Sequence, residues 1–161
     1  MTTWTESRPV RSAGVLVLLV GAVAVAALIG VVGVSGTAER YQSLAQPGWA
    51  PPSWVFGPVW TVLYGMIAVS GWLVWRQVGW GRELVPFAVQ LVLNAAWTPL
   101  FFGAGAMGIA LIEIVVLWFA IGWTVLTFWR VRRAAAVLLL PYWAWTTFAT
   151  ALNAAVWWLN R

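Results

Sequence analysis

The chain has 161 residues, 63% of them hydrophobic and 8% charged, with a net charge of +5. That length fits one domain, and so little charge cannot cover a globule in water, so the composition is that of a membrane protein. Cysteine, histidine and aspartate are absent, which leaves Glu6, Glu39, Glu83 and Glu113 as the only acids. This inventory excludes disulfides, thiolate and imidazole metal sites, Ser-His-Asp triads and paired-carboxylate catalysis, so no metal centre is expected. The positive charge is all arginine and flanks hydrophobic runs, a pattern of topology and lipid-headgroup contact and not of nucleic-acid binding.

About 20 apolar residues, rising about 1.5 Å each, cross the hydrocarbon of a bilayer. Five such runs follow one another at residues 13–34, 57–75, 84–102, 105–129 and 134–159. The expected fold is all-α, a single membrane domain over residues 1–161 with five transmembrane helices. A long structured connector joins the first helix to the second. The first run precedes the small residues Gly36 and Ala38, as a signal peptide would, but its apolar core is too long, so a retained helix is expected.

Residues 46–60 of the connector read QPGWAPPSWVFGPVW. Its prolines fix φ and remove donors, so the segment is stiff and cannot pair as a strand. Pro58 suits the first turn of the second helix. Trp49 and Trp54 suit the outer interface, while Trp60 enters the helix four residues before Tyr64. The stretch reads as a stiff segment hinged to the second helix.

In the third helix Gln90, Asn94 and Thr98 recur every four residues and share a face, with Trp97 beside Asn94. Glu113 is the one charge inside a run, roughly 12 Å deep in the fourth helix. It is either a functional acid or a protonated group bonded to a neighbouring helix. Ala104 and Gly108 have the spacing of a helix-packing or dimer contact. In the fifth helix Tyr142, Trp145, Thr146, Ala149, Thr150 and Asn153 share a face. Such stripes are either interhelical glue, worth roughly 0.6–2 kcal/mol per bond, or the lining of a cavity. Tryptophan beside polar groups on three helices favours a cavity for a flat, mostly apolar ligand. The remaining tryptophans suit interfacial belts: Trp75, Trp80 and Trp129 at one side, Trp157 and Trp158 at the other.

With five spans, Arg8, Arg11, Arg76, Arg82, Arg130, Arg132 and Arg133 share one side, against Arg40 and Arg161 on the other. The positive-inside rule then expects a cytoplasmic N-terminus and an outer C-terminus.

The connector YQSLAQPGWAPPSWVFGPVW, the passage LNAAWTPLFFGAGAMGIAL and the segment LLPYWAWTTFATALNAAVWWLNR resemble the translocator protein family, also called tryptophan-rich sensory proteins or peripheral-type benzodiazepine receptors. The resemblance runs from Tyr41 onward. It implies a homodimer of five-helix chains, with a ligand cavity beneath the first loop. It implies binding of tetrapyrroles such as protoporphyrin, and of drug-like isoquinoline carboxamides and benzodiazepines. Carried over by position, Tyr41 and Pro51 are the lid side, Trp60 and Tyr64 the second-helix wall, Asn94 and Trp97 the third, and Trp145 and Ala149 the fifth. Trp60 and Trp145 match tryptophans implicated in porphyrin breakdown in some relatives. Where the family's sterol motif has a tyrosine, this chain has Ala154, which argues against sterol recognition; Glu113 stands where relatives carry an aspartate.

The resulting expectation is a membrane binding protein for porphyrin or haem as ligand, with no resident cofactor, acting in sensing, regulation or transport of tetrapyrroles. Haem iron takes His, Cys, Met or Tyr as axial ligand, and with the first two missing, binding by stacking and shape is expected. The alternatives are a porphyrin-degrading enzyme working through indole redox chemistry and a small-molecule transporter. A bacterial plasma membrane is the expected location.

Overall fold

The computed structural model describes residues 13–21, 23–25, 28 and 43–161. Tyr41, Gly36, Ala38, Arg8, Arg11 and Arg40 lie outside the described residues. Among those described, the regular structure is helical: α1 (Ala13–Val25), α2 (Phe56–Val78), α3 (Val85–Thr98), α4 (Met107–Val131) and α5 (Arg133–Leu159). Counted with their end turns, four helices are long and apolar enough to cross a membrane, namely Ser53–Val78, Arg82–Gly103, Met107–Val131 and Arg133–Leu159. With the shorter α1 they form the expected all-α bundle, and residues 29–34 of the first run lie outside the described residues.

Each boundary has a local cause. A single 3-10 turn, Ser53–Val55, leads into α2, and Pro58 falls in its first turn, where amides have no helical partner to lose. Gly79 ends α2 at φ 68°, a conformation costly for any other residue, and its N–H caps the Trp75 carbonyl at 2.7 Å. Pro99 ends α3: without an N–H it cannot continue the ladder, and the chain widens into a π turn, Pro99–Gly103. Gly105, at φ 62°, then reverses the path into α4. The break between α4 and α5 is the single extended residue Arg132, φ −154°. So short a link forces the two helices to lie antiparallel and adjacent, and theirs is the most extensive helix contact. Pro141 sits inside α5, where it removes one ladder bond without ending the helix, as membrane helices permit.

α4 shows why the helices read as apolar all round. Its face at Ala110, Ile114, Leu117, Ile121, Val125 and Phe128 is buried in the bundle. Its opposite face at Ile109, Ile112, Val116, Phe119, Trp123 and Leu126 is exposed and equally apolar. A helix hydrophobic on both faces is stable where the outer face meets lipid.

The main core joins all five helices, from Leu19 and Val23 of α1 to Leu139 and Tyr142 of α5. Short links do not decide every neighbour. α2 packs chiefly on α5, and its approach to α3 is made by side chains: Phe87 fills the space over Gly71, where an added Cβ would come within 2.6 Å of its ring. A Cβ added at Gly108 would come within 3.3 Å of the Trp157 indole of the same chain, so that small residue serves packing within the chain.

Candidate functional site

The half of the bundle below the connector holds the predicted wall residues. Trp60 and Tyr64, one turn apart on α2, stack at 5.2 Å between ring centroids and 29° between planes. Trp60 also meets the edge of Tyr142 at 6.1 Å. Between them lies Asn94 of α3. Its Oδ1 accepts from the Tyr64 hydroxyl at 2.9 Å, and its Nδ2 donates to the Tyr142 hydroxyl at 3.0 Å. One amide thus ties α2, α3 and α5 together, and Asn94 is 4% exposed.

A second group sits nearer the connector. The π turn brings consecutive rings to Trp97: Phe101 stacks on it at 5.2 Å and Phe102 meets it edge-on at 6.0 Å. The Trp97 indole N–H donates to Asn153 Oδ1 at 3.3 Å, and Asn153 Nδ2 donates to the Met107 carbonyl at 3.0 Å. Trp145 meets Phe56 at 5.9 Å and Phe148 at 5.3 Å, and Phe148 in turn receives the edge of Trp49 from the connector at 5.7 Å. Trp60, Tyr64, Trp97 and Trp145 are half-buried, Ala149 is buried, and all of them pack on the same core. Pro51 is half-buried, two residues before the turn that opens α2.

Hydrogen bonding divides the polar stripes differently from their spacing. Thr146 and Thr150 donate to the carbonyls of Tyr142 and Thr146, at 2.9 and 2.8 Å, so their hydroxyls are satisfied within α5 and join no helices. Gln90, on the Asn94 face and 1% exposed, has neither amide atom hydrogen-bonded. The Trp145 indole N–H and both Glu113 carboxyl oxygens are likewise buried without a partner. Among the described residues, free buried hydrogen-bonding capacity therefore rests on Gln90, Glu113 and the indole N–H groups of Trp75, Trp143 and Trp145, while Tyr64, Asn94 and Trp97 are committed to one another's helices.

The profile of the TspO/MBR family matches residues 15–159. The chain belongs to the TspO/MBR family. It is 43% identical to the translocator protein of Homo sapiens over 122 residues, 73% of this chain and 72% of the relative. It is 41% identical to the tryptophan-rich protein TspO of Chlorobaculum tepidum, over 74% of this chain and 78% of that one. It is 40% identical to the tryptophan-rich sensory protein of Cereibacter sphaeroides, over 71% and 73% respectively. Family membership and four apolar helices of spanning length make this an integral membrane protein.

Three participants in the site escape a reading by composition and spacing. Phe56 and Phe148 are ordinary apolar residues in sequence, and only the contact with Trp145 gives them a place. Asn160, just past α5, holds the connector through paired bonds to Ala45. An asparagine at a helix end was the one available signal.

Proposed function

We propose that the protein binds tetrapyrroles and other flat hydrophobic ligands within the membrane and acts in their sensing, regulation or transport. The observation that carries the reading is the set of half-buried rings, Trp60, Tyr64, Trp97 and Trp145, gathered from three helices onto one core. The Tyr64 hydroxyl and the Trp97 indole N–H are already taken by Asn94 and Asn153, and one face of each ring stacks on Trp60 and on Phe101, so the second ring face is what these two have left to offer. Faces of this kind suit a planar π system held by stacking. The tetrapyrrole class comes from the family resemblance, and relatives bear the names translocator and sensory protein. We place it in a plasma membrane as a homodimer, with the arginine-rich end of the bundle inward.

The test is quenching of tryptophan fluorescence by protoporphyrin IX and by haem. The two should bind with similar affinity, because histidine and cysteine ligands for iron are missing. Haem binding far more tightly, with an axial-ligand spectrum, would refute binding by shape and stacking.

A second reading has its own observation. Trp60 lies against both Tyr64 and Tyr142, so oxidisable side chains are in contact with one another. Light- and oxygen-dependent porphyrin degradation would use such a chain. The double variant Trp60→Phe, Trp145→Phe should then abolish product while retaining binding, and unchanged product formation would remove this alternative.

A further inference from the structure

The connector and the end of α5 are joined by an arrangement that the wall residues do not explain. Asn160 follows the last residue of α5, and its side chain bonds to a backbone 115 residues away. Asn160 Oδ1 accepts from the Ala45 N–H at 3.0 Å, and Asn160 Nδ2 donates to the Ala45 carbonyl at 2.9 Å. The same Nδ2 donates its second hydrogen to the Val156 carbonyl at 2.7 Å, one turn back in α5. The side chain thereby copies the two-point exchange of a residue pair in an antiparallel ladder. Its anchor on Val156 fixes the rotamer, so little side-chain entropy is lost when Ala45 docks.

We propose that Asn160 is a latch, which holds the connector closed over the ligand site and whose release sets how fast ligand leaves. This rests on the ligand-binding reading above. Residues 47–55 of the connector are built to move as one piece. The Ala50 N–H closes a turn on the Pro47 carbonyl at 2.9 Å, the Val55 N–H does the same on Pro52 at 3.0 Å, and Pro47, Pro51 and Pro52 stiffen the path between. With the Ala45 bonds released, Leu44 and Ala50 still pack on the core and Trp49 still rests on Phe148, which faces Trp145 in the site, so a shift of this stiff segment is passed to the wall. The latch bonds are exposed, so water competes for them and opening is easy. The Tyr64–Asn94–Tyr142 chain is deeper in the bundle and stays closed under the same conditions. Asn160 touches no wall residue in these bonds, so it is a positioning residue for the lid and not part of the ligand seat.

The experiment uses the full chain in lipid nanodiscs, with Asn160→Ala and Asn160→Asp compared to wild type. Three quantities are read: hydrogen exchange at the Ala45 amide without ligand, the dissociation rate of protoporphyrin IX, and helical melting. Asn160→Ala should speed Ala45 exchange and porphyrin dissociation each by about tenfold, the order expected for losing one to two partly solvated hydrogen bonds. Melting of the bundle should not change, whereas a purely structural helix cap would lower it. Asn160→Asp keeps volume and an acceptor but loses both donors and turns a carboxylate toward two carbonyls, so it should open the latch as fully as Ala. Unchanged Ala45 exchange in Asn160→Ala overturns the latch, and so does a closed Asn160→Asp. Faster exchange with unaltered porphyrin dissociation overturns its control of ligand exit. Wild-type protein that fails to bind protoporphyrin IX would instead count against the proposed function, and Ala45 exchange would still decide the latch.

Discussion

Asn94→Leu tests how three helices are held together around the site. Leucine branches at the same carbon as asparagine but is the larger side chain, so the change removes both hydrogen bonds and adds some crowding. Two bonds are lost, to the hydroxyls of Tyr64 and Tyr142. Interhelical bonds in membrane proteins average about 0.6 kcal/mol and reach about 1.7 kcal/mol. Tyr142 is 0% exposed, so its hydroxyl loses its asparagine donor where no water can replace it, adding about 1–2 kcal/mol. The expected cost is about 2–5 kcal/mol. Tyr64→Phe removes one of the bonds and should cost about 1–2 kcal/mol. The double variant should be less destabilised than the sum of the two by about 1 kcal/mol, because the second change removes a bond already broken. Unfolding free energies measured by steric trapping in bicelles would give all four corners of the cycle. Additivity within about 0.3–0.5 kcal/mol would refute the claim that Asn94 and Tyr64 act as one unit.

Gly71→Ala would place a methyl 2.6 Å from the Phe87 ring, which is itself stacked on Phe128 at 5.8 Å, so roughly 1–3 kcal/mol of stability should be lost in the same assay. Gln90→Leu removes an amide with neither atom partnered, so stability should hold or rise by up to about 1 kcal/mol; a loss near 2 kcal/mol would reveal a bound water as its partner. Pro51→Gly with Pro52→Gly should weaken porphyrin binding more than it lowers bundle stability, because it loosens the connector before docking. Equal losses in quenching affinity and melting would make the segment scaffold and not lid.

Much of the fold was legible because its causes are local. Run length measures the bilayer, and Gly79 and Pro99 end their helices by their own backbone chemistry. The pairing of Trp60 with Tyr64 was legible through spacing, since residues four apart on a helix share a face. The polar stripes were read less well. Gln90 and Asn94 have the same spacing and the same face, yet one is unpartnered and the other satisfies two tyrosines. For Thr146 and Thr150 spacing left interhelical glue and cavity lining both open, and their hydroxyls bond within their own helix.

The sequence by itself determined the membrane setting, the four long apolar helices, the family and the stiffness of QPGWAPPSWVFGPVW. These depend on composition, on periodicity and on the fixed φ of proline, which no neighbour changes. Tertiary structure alone decided which hydrogen bonds are spent and which are free, and that Asn160 holds Ala45 across 115 residues. Periodicity tells which way a side chain faces along its own helix. Its partner is set by which helix packs opposite and at what height, and α2 meets α5 more closely than the neighbour its short link would suggest.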